Sequence, residues 1–191
     1  FGRAGCGGSI AQGRGTQRRR GKGMVGSHAF ARGAEDVTGS KGGRGSRGPR
    51  APVRVPTAGL AEVPPAELPL DIVHYVYPSR YCPSDQLLNF AAREYAAVEP
   101  GYVRVKAICD WIHANVEYAF GASDAHTAAN DTLLSRRGVC RDFAHLAIAL
   151  CRALNINPRV LLGYVQGLQP SDFHACFEAY LGQRWFLFDS T

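Results

Sequence analysis

Three features are missing from the 191-residue sequence, and the first two absences argue against a membrane-spanning protein and a zinc protein. There is no run of about 18 apolar residues, the length that a membrane-spanning helix needs, so we expect no membrane partner. There is no Cys-x-x-Cys pair, and His174 and Cys176 have no second pair to complete a zinc site, so we predict no metal and no cofactor. There is also no charged segment followed by an apolar one, the pattern that directs secretion.

The six cysteines lie mostly inside apolar helix or strand patterns. A chain of this size can build a core without disulfide bonds, so the pattern favours reduced, buried thiols. We therefore predict a cytoplasmic protein.

Acidic residues are scarce in residues 1–59, which hold 12 Lys/Arg, 2 Asp/Glu and 16 of the 22 glycines. Such a segment cannot bury enough apolar surface to offset its ordering entropy. It is a disordered tail, a product of a wrong reading frame, or an RNA-binding arm. The RNA-binding alternative is weak because only two aromatic residues could stack on bases, so we do not expect nucleic-acid binding. Residues 60–191 carry a net charge of −4 and are predicted to form one globular domain.

Apolar periodicity predicts four helices in this domain, at about 84–97, 102–118, 131–136 and 140–154. Three strands follow, at about 159–165, 173–181 and 184–189. Helices followed by antiparallel strands indicate an α+β fold.

The helix 140–154 carries an apolar stripe about 200° wide, typical of a buried central helix. Cys140 lies in the middle of this stripe and in the first helical turn, whereas His145 lies about 140° away on the polar arc. We expect Asp142, also in the first turn, to interact with the helix dipole.

The last two strands are predicted to form a hairpin through Gly182-Gln183. In this register Cys176 faces Asp189, and His174 is the diagonal neighbour of Asp189, about 7–8 Å away at the backbone. The opposite face carries four phenylalanines and is predicted to face the core: Phe173, Phe177, Phe186 and Phe188.

These positions predict a nucleophilic site. A helix N-terminus stabilises a thiolate at Cys140, and its N–H groups can bind an oxyanion. His174 would pair with the thiolate and protonate a leaving amine, and Asp189 would orient the imidazole. Taken singly, Cys140 is more simply a small buried residue, His174 a strand histidine and Asp189 a solvated strand end. The joint placement favours acyl transfer through a thioester.

The stretches GVCRDFAHLAIALCRALNI and DFHACFEAYLGQRWFLFDST resemble the transglutaminase-like superfamily of papain-like cysteine enzymes. PSRYC and AICDWIHANVEYAFG resemble its bacterial members, and the similarity covers about residues 68–191. It implies a papain-like or transglutaminase-like core, with Cys140 as nucleophile, His174 as acid–base and Asp189 as orienting carboxylate. The strands that follow the Asp in the family are absent, so we expect a catalytic domain truncated at its C-terminus.

We therefore predict cysteine-dependent acyl transfer on amide bonds of a peptide or protein substrate, of the protease, amidase or transglutaminase type. The alternative is a non-catalytic module that keeps the fold to bind peptides. We expect the loops 121–130 and 166–172 to set specificity.

Overall fold

The computed structural model describes residues 30–31, 60–164 and 172–191. The described part contains four α-helices: α1 (Leu88–Tyr95), α2 (Tyr102–Asn115), α3 (Ala129–Ser135) and α4 (Cys140–Ala153). It also contains six strands: β1 (Phe30–Ala31), β2 (Glu117–Tyr118), β3 (Arg137–Gly138), β4 (Asn157–Tyr164), β5 (Phe173–Leu181) and β6 (Arg184–Phe188). Short 3-10 helices span Pro65–Glu67, Val73–Val76 and Ser84–Leu87.

Helix α4 lies at the centre of the domain, as its wide apolar stripe predicts. Ten of its residues are buried, and it contacts the other three helices as well as β4 and β5. The small residues Ala147 and Cys151 on this helix are fully buried, so the sheet can pack closely against it.

The main sheet has the strand order β1-β6-β5-β4, and every pairing in it is antiparallel. The predicted hairpin and its register are confirmed, since Tyr180 pairs with Trp185. Both turn residues, Gly182 and Gln183, have positive φ angles, the conformation of a type I′ turn. β4 lies at the edge of the sheet in the described part of the chain, where Pro158 can occupy a strand because an edge position needs no N–H on its outer side.

The core lies between α4 and one face of β5 and β6. Phe177, Phe186 and Phe188 are buried there, as predicted. The prediction for Phe173 was wrong, because this residue is 58% exposed at the first position of β5, beyond the reach of β6. The pairing between β5 and β6 ends at Phe177–Phe188, so it does not include the predicted pair of Cys176 with Asp189. Asp189 lies one residue after the end of β6.

Two helix boundaries differ from the prediction by more than two residues. The turn at Ser84–Leu87 is a 3-10 helix rather than the start of α1. Helix α2 ends at Asn115, because the next residues leave the helix and β2 pairs in parallel with β3. The Glu117 N–H donates to the Arg136 carbonyl at 2.8 Å, a bond between residues that are 19 positions apart in the sequence and invisible to a periodicity argument.

Of residues 1–59, the structure describes only Phe30–Ala31, whose backbone pairs with β6. The remainder of that segment lies outside the described residues, so its predicted nature stays a prediction.

Candidate active site

Cys140 is the first residue of α4, and the local sequence explains how the helix begins there. The Val139 N–H donates to Asp142 Oδ2 at 2.8 Å, which satisfies a backbone donor at the helix start. Asp142 is buried, and its Oδ1 accepts a hydrogen bond from Arg141 at 2.9 Å. Asp142 therefore caps the helix as well as complementing its dipole.

Gly138 is required beside this cap. A Cβ atom at Gly138 would lie 2.7 Å from the Asp142 Cβ, closer than two non-bonded carbon atoms can approach. The Gly-Val-Cys sequence thus lets a strand pass directly against the first turn of α4.

The Cys140 sulfur is surrounded by hydrogen-bond donors. The pKa of its thiol is lowered, first by a hydrogen bond from His174, with further contributions from the Ala175 N–H, the His174 charge and the Tyr118 hydroxyl; partial burial acts in the opposite direction. The thiolate is the form that attacks a carbonyl carbon.

The early end of β6 explains why the Ala175 N–H is available. β6 stops at Phe188 and does not extend to the position that would pair with Ala175. A backbone donor at a sheet position needs a partner. The Ala175 N–H donates to the Cys140 sulfur instead, which lies in the gap that β6 leaves beside β5.

His174 and Asp189 form the second part of the site. The His174 Nε2 lies 2.6 Å from Asp189 Oδ2, which leaves Nδ1 as the ring nitrogen facing Cys140. The hydrogen bond with Asp189 is the main reason that the pKa of His174 rises to about 10, followed by the hydrogen bond with Cys140. The raised pKa of His174 favours the protonated imidazole beside Cys140, whose own pKa is lowered.

Asp189 is held by a residue that the sequence did not single out. Its Oδ1 accepts hydrogen bonds from the Thr191 hydroxyl at 2.7 Å and from the Thr191 N–H at 3.0 Å. Burial alone would raise the pKa of Asp189, but the hydrogen bonds from His174 and Thr191 outweigh it and the pKa is lowered. Thr191 thus orients the carboxylate that orients the imidazole.

Tyr118 is a second residue that the sequence analysis missed. Its hydroxyl hydrogen-bonds to the Cys140 sulfur, and its ring lies 5.8 Å from the Phe143 ring, measured between centroids. The periodicity of 102–118 placed Tyr118 at the end of a helix, where nothing linked it to Cys140.

The structure thus brings Cys140, His174 and Asp189 together in one hydrogen-bonded chain. Their catalytic roles stay a prediction from the sequence. His145 stacks on Tyr81 at 5.4 Å between ring centroids, and burial lowers its pKa.

The other thiols differ from Cys140. Cys82, Cys109 and Cys151 are buried, and burial raises the pKa of each. Half-buried Cys176 donates to the Leu161 carbonyl of β4 at 3.7 Å. Of Cys82, Cys109, Cys140 and Cys151, Cys140 is the thiol whose pKa is lowered.

Within residues 60–164 and 172–191, His, Cys, Asp and Glu side chains form no group of three that could hold a metal ion. Among the same residues, no helix has both the length and the apolar character to cross a membrane.

Sequence comparisons match this site to a family. A profile of the Transglutaminase-like superfamily matches residues 89–190. An uncharacterized protein of Mycobacterium leprae is 27% identical over 122 residues, which are 60% of this chain and 43% of that protein. An uncharacterized protein of Mycobacterium tuberculosis H37Rv is 32% identical over 82 residues, 43% of this chain and 26% of that protein. The chain therefore spans less than half the length of these relatives.

Solved structures share the fold. A "putative cysteine protease" from Cytophaga hutchinsonii is 53% identical with a TM-score of 0.67, covering 69% of this chain and 46% of that one. The periplasmic domain of TgpA from Pseudomonas aeruginosa, bound to ethylmercury, is 21% identical with a TM-score of 0.50, covering 61% and 47% of the two chains.

These matches confirm the predicted α+β fold, a transglutaminase-like core in which the helix bearing the cysteine packs on an antiparallel sheet. The family and the protein from Cytophaga support a cysteine-dependent enzyme in general. The profile covers more than half of the sequence, and the chain belongs to the transglutaminase-like superfamily.

Proposed function

We propose that this domain catalyses cysteine-dependent acyl transfer on amide bonds of peptides or proteins, with Cys140 as nucleophile. The observation that carries the proposal is the hydrogen-bonded chain from Asp189 through His174 to the Cys140 sulfur at the N-terminus of α4. Each link has a chemical use: a stabilised thiolate attacks, and a cationic imidazole supplies a proton.

In the first half of the reaction, the Cys140 thiolate attacks the carbonyl carbon of an amide. The carbonyl electron pair moves to oxygen, and the Cys140 backbone N–H at the start of α4 donates a hydrogen bond to this oxyanion. As the C–N bond breaks, His174 transfers its proton to the departing nitrogen. An amine or ammonia leaves, and a thioester and a neutral imidazole remain.

In the second half, His174 takes a proton from the acceptor while the acceptor attacks the thioester. With water the product is a carboxylic acid, and with a primary amine it is a new amide. The C–S bond breaks and the thiolate–imidazolium pair is restored. We favour hydrolysis, because water is the default acceptor and no residue we describe forms an amine-binding site.

A peptide substrate is supported by exposed apolar side chains beside the cysteine. Leu162 pairs with Ala175, and Tyr164 pairs with Phe173, which places these side chains on the same face of the sheet as α4. Leu162 and Tyr164 are 64% and 75% exposed, and the Tyr164 and Phe173 rings lie 4.5 Å apart at their centroids. These side chains form an apolar wall suited to a peptide that carries apolar residues near its reacting amide.

The loop 121–130, which we predicted to set specificity, is tied to the nucleophile's helix. Arg141 donates to the Asp124 carbonyl at 2.7 Å, and Asp124 Oδ1 accepts the backbone N–H groups of His126 and Thr127. The second predicted loop, 166–172, lies outside the described residues except for Asp172. We keep the cytoplasm as the proposed location because of the cysteine pattern.

Selective alkylation tests the nucleophile. The protein is treated with iodoacetamide at mildly acidic pH, and the modified cysteines are mapped by mass spectrometry. We expect Cys140 to react first, because its thiolate is stabilised, with Cys109 and Cys151 as internal controls. Equal rates at the three cysteines would end the claim that Cys140 is activated.

Product analysis tests the reaction. The full chain is incubated with a glutamine-bearing peptide, with and without a primary amine. Ammonia release without amine incorporation identifies a hydrolase, and incorporation identifies a transferase. Cys140→Ala is the matched control and should abolish either product. A Cys140→Ala variant that retains its biological activity would instead favour the non-catalytic peptide-binding module.

A further inference from the structure

Two side chains on the polar side of α4 face the loop 121–130. Arg141 and His145 are four residues apart in the helix, so they lie next to each other on its surface. Arg141 reaches the loop directly, since its Nη2 donates to the Asp124 carbonyl at 2.7 Å. The same guanidinium donates to Asp142 Oδ1 at 2.9 Å, and it therefore bridges the helix start and the loop.

Tyr81 makes a second connection between α4 and the loop. Its ring stacks on the His145 ring with an interplanar angle of 15°, and its hydroxyl donates to the Ala125 carbonyl at 3.0 Å. The neighbouring Arg80 donates to His126 Nδ1 at 3.2 Å. Three consecutive residues of the loop are thus each hydrogen-bonded to a side chain outside it, which restricts the path of the loop.

Hydrogen bonds within the loop make its middle a compact turn. Asp124 Oδ1 accepts the His126 N–H at 2.8 Å and the Thr127 N–H at 3.0 Å. The Asp124 N–H in turn donates to the Thr127 Oγ1 at 2.9 Å. Because these bonds hold the turn together, its position depends on the side chains that anchor it from outside.

The loop lies beside the nucleophile. Arg141 is the residue that follows Cys140, and the loop begins three residues after Tyr118, whose ring packs against Phe143 in the first turn of α4. Phe120, the last residue before the loop, is 87% exposed. A peptide whose reacting amide reaches Cys140 therefore passes close to this loop.

We propose that Arg141 and Tyr81 are positioning residues that fix the loop 121–130 as one side of the substrate cleft, and that they govern peptide binding rather than the bond-breaking steps. The inference rests on the proposed acyl transfer. A loop that is already in place loses less conformational entropy on binding than one that the peptide must order. Both residues act through the loop and not on the reacting atoms. Their contribution is therefore the same in the bound substrate and the transition state, and it is seen in KM.

Tyr81→Phe isolates the hydrogen bond to the loop, because it keeps the ring that stacks on His145. We expect the KM of the glutamine-bearing peptide to rise about 2–10-fold, the factor that one hydrogen bond contributes, with kcat unchanged. The rate at which iodoacetamide alkylates Cys140 should also stay the same. Tyr77→Phe, which changes an exposed tyrosine of the same segment, is the matched control and should leave KM unchanged.

Arg141→Lys tests the other anchor. Lysine keeps a positive charge beside the buried Asp142 carboxylate but lacks the planar fork that reaches both Asp142 and Asp124, so KM should rise here as well. Cleavage by subtilisin within the loop 121–130, mapped by mass spectrometry, follows the loop without any substrate. We expect faster cleavage in Tyr81→Phe and Arg141→Lys than in the wild type and Tyr77→Phe.

The outcomes separate the roles. An unchanged KM in both variants overturns the proposal, even with faster loop cleavage, because the loop would then be held without forming part of the cleft. A lower kcat at unchanged KM, or slower alkylation of Cys140, also overturns it, because the two residues would then act on the first turn of α4. A wild-type protein without amide turnover refutes the proposed function, whereas equal loop cleavage in all four proteins refutes the positioning roles, so the two failures are distinct.

Discussion

Replacing Asp189 with Asn tests the chain that links Asp189, His174 and Cys140. The substitution keeps the shape of the side chain and removes its negative charge. Without that charge the imidazolium is less stable, so the pKa of His174 falls from about 10 towards its ordinary value near 6.5. An amide can also donate to Nε2, which favours the wrong tautomer for proton transfer to the leaving group.

The size of the shift follows from the geometry. The Nε2–Oδ2 contact at 2.6 Å is a hydrogen bond between charged groups, which contributes about 1.5–3 kcal/mol in proteins. One pKa unit corresponds to about 1.4 kcal/mol, so removing this hydrogen bond between charged groups lowers the pKa of His174 by about 1–2 units. The Asp189 side chain is 41% exposed, and solvent screening places the expected shift near the lower end, at about one unit.

The assay is the pH profile of kcat/KM for ammonia release from the peptide. Its alkaline limb reports the loss of the imidazolium proton, and we expect this limb to move down by about one pH unit in Asp189→Asn. We also expect kcat to fall, within the about 10²–10⁴-fold that a positioned acid–base group contributes. Asp71→Asn, an exposed carboxylate outside the site, controls for the change in net charge. An alkaline limb that stays in place, in a variant whose circular dichroism matches the wild type, would refute the role assigned to Asp189.

Three further predictions concern stability and orientation. The pKa of His174 is raised to about 10 in the folded protein, so protonation of His174 stabilises the fold fully below pH 6.5 and no longer does so as the pH rises to about 10. Urea unfolding should therefore show a free energy of unfolding that falls over this pH range in the wild type and does not fall in this way in His174→Gln. Gly138→Ala places a Cβ 2.7 Å from the Asp142 Cβ and should cost about 1–3 kcal/mol in unfolding free energy, whereas an unchanged value would show that the first turn of α4 can shift. Thr191→Val removes a hydrogen bond to Asp189, so it should lower kcat about tenfold and move the alkaline limb of the pH profile to lower pH. Thr191→Ser keeps the hydroxyl and should restore kcat and the position of that limb. A kcat of Thr191→Ser as low as that of Thr191→Val would contradict the orienting role.

The approach of His174 to Asp189 could be predicted from the sequence. A two-residue turn with Gly182 at its first position sets the register of the hairpin, and the alternation of side chains then places the two residues on one face. The position of Cys140 was predictable for a similar reason, since 3.6-residue periodicity and a following apolar stripe define where α4 begins.

The exposure of Phe173 could not be predicted in this way. Alternation assigns it to the core face, but burial depends on what covers that face, and the ladder with β6 ends at Phe177. A periodic pattern gives the direction of a side chain and leaves the neighbouring element undetermined.

Tyr118 lay beyond prediction because its environment depends on residues far away in the sequence. The residues predicted to form the last turn of the helix 102–118 include β2, which pairs in parallel with β3. No local sequence pattern encodes this pairing. The donation of the Ala175 N–H to the Cys140 sulfur depends likewise on where β6 ends.

The sequence by itself therefore determined the four α-helices, the last three strands, the hairpin register and the three residues proposed for catalysis, because local backbone hydrogen bonding and side-chain periodicity govern these features. Only the tertiary structure decided what surrounds the sulfur and the residues paired with it: a phenol from a distant strand pair, an N–H donor at a gap in the sheet and a threonine that hydrogen-bonds to the Asp189 carboxylate. These contacts arise from the packing of separate elements, and packing depends on shape and distance in space.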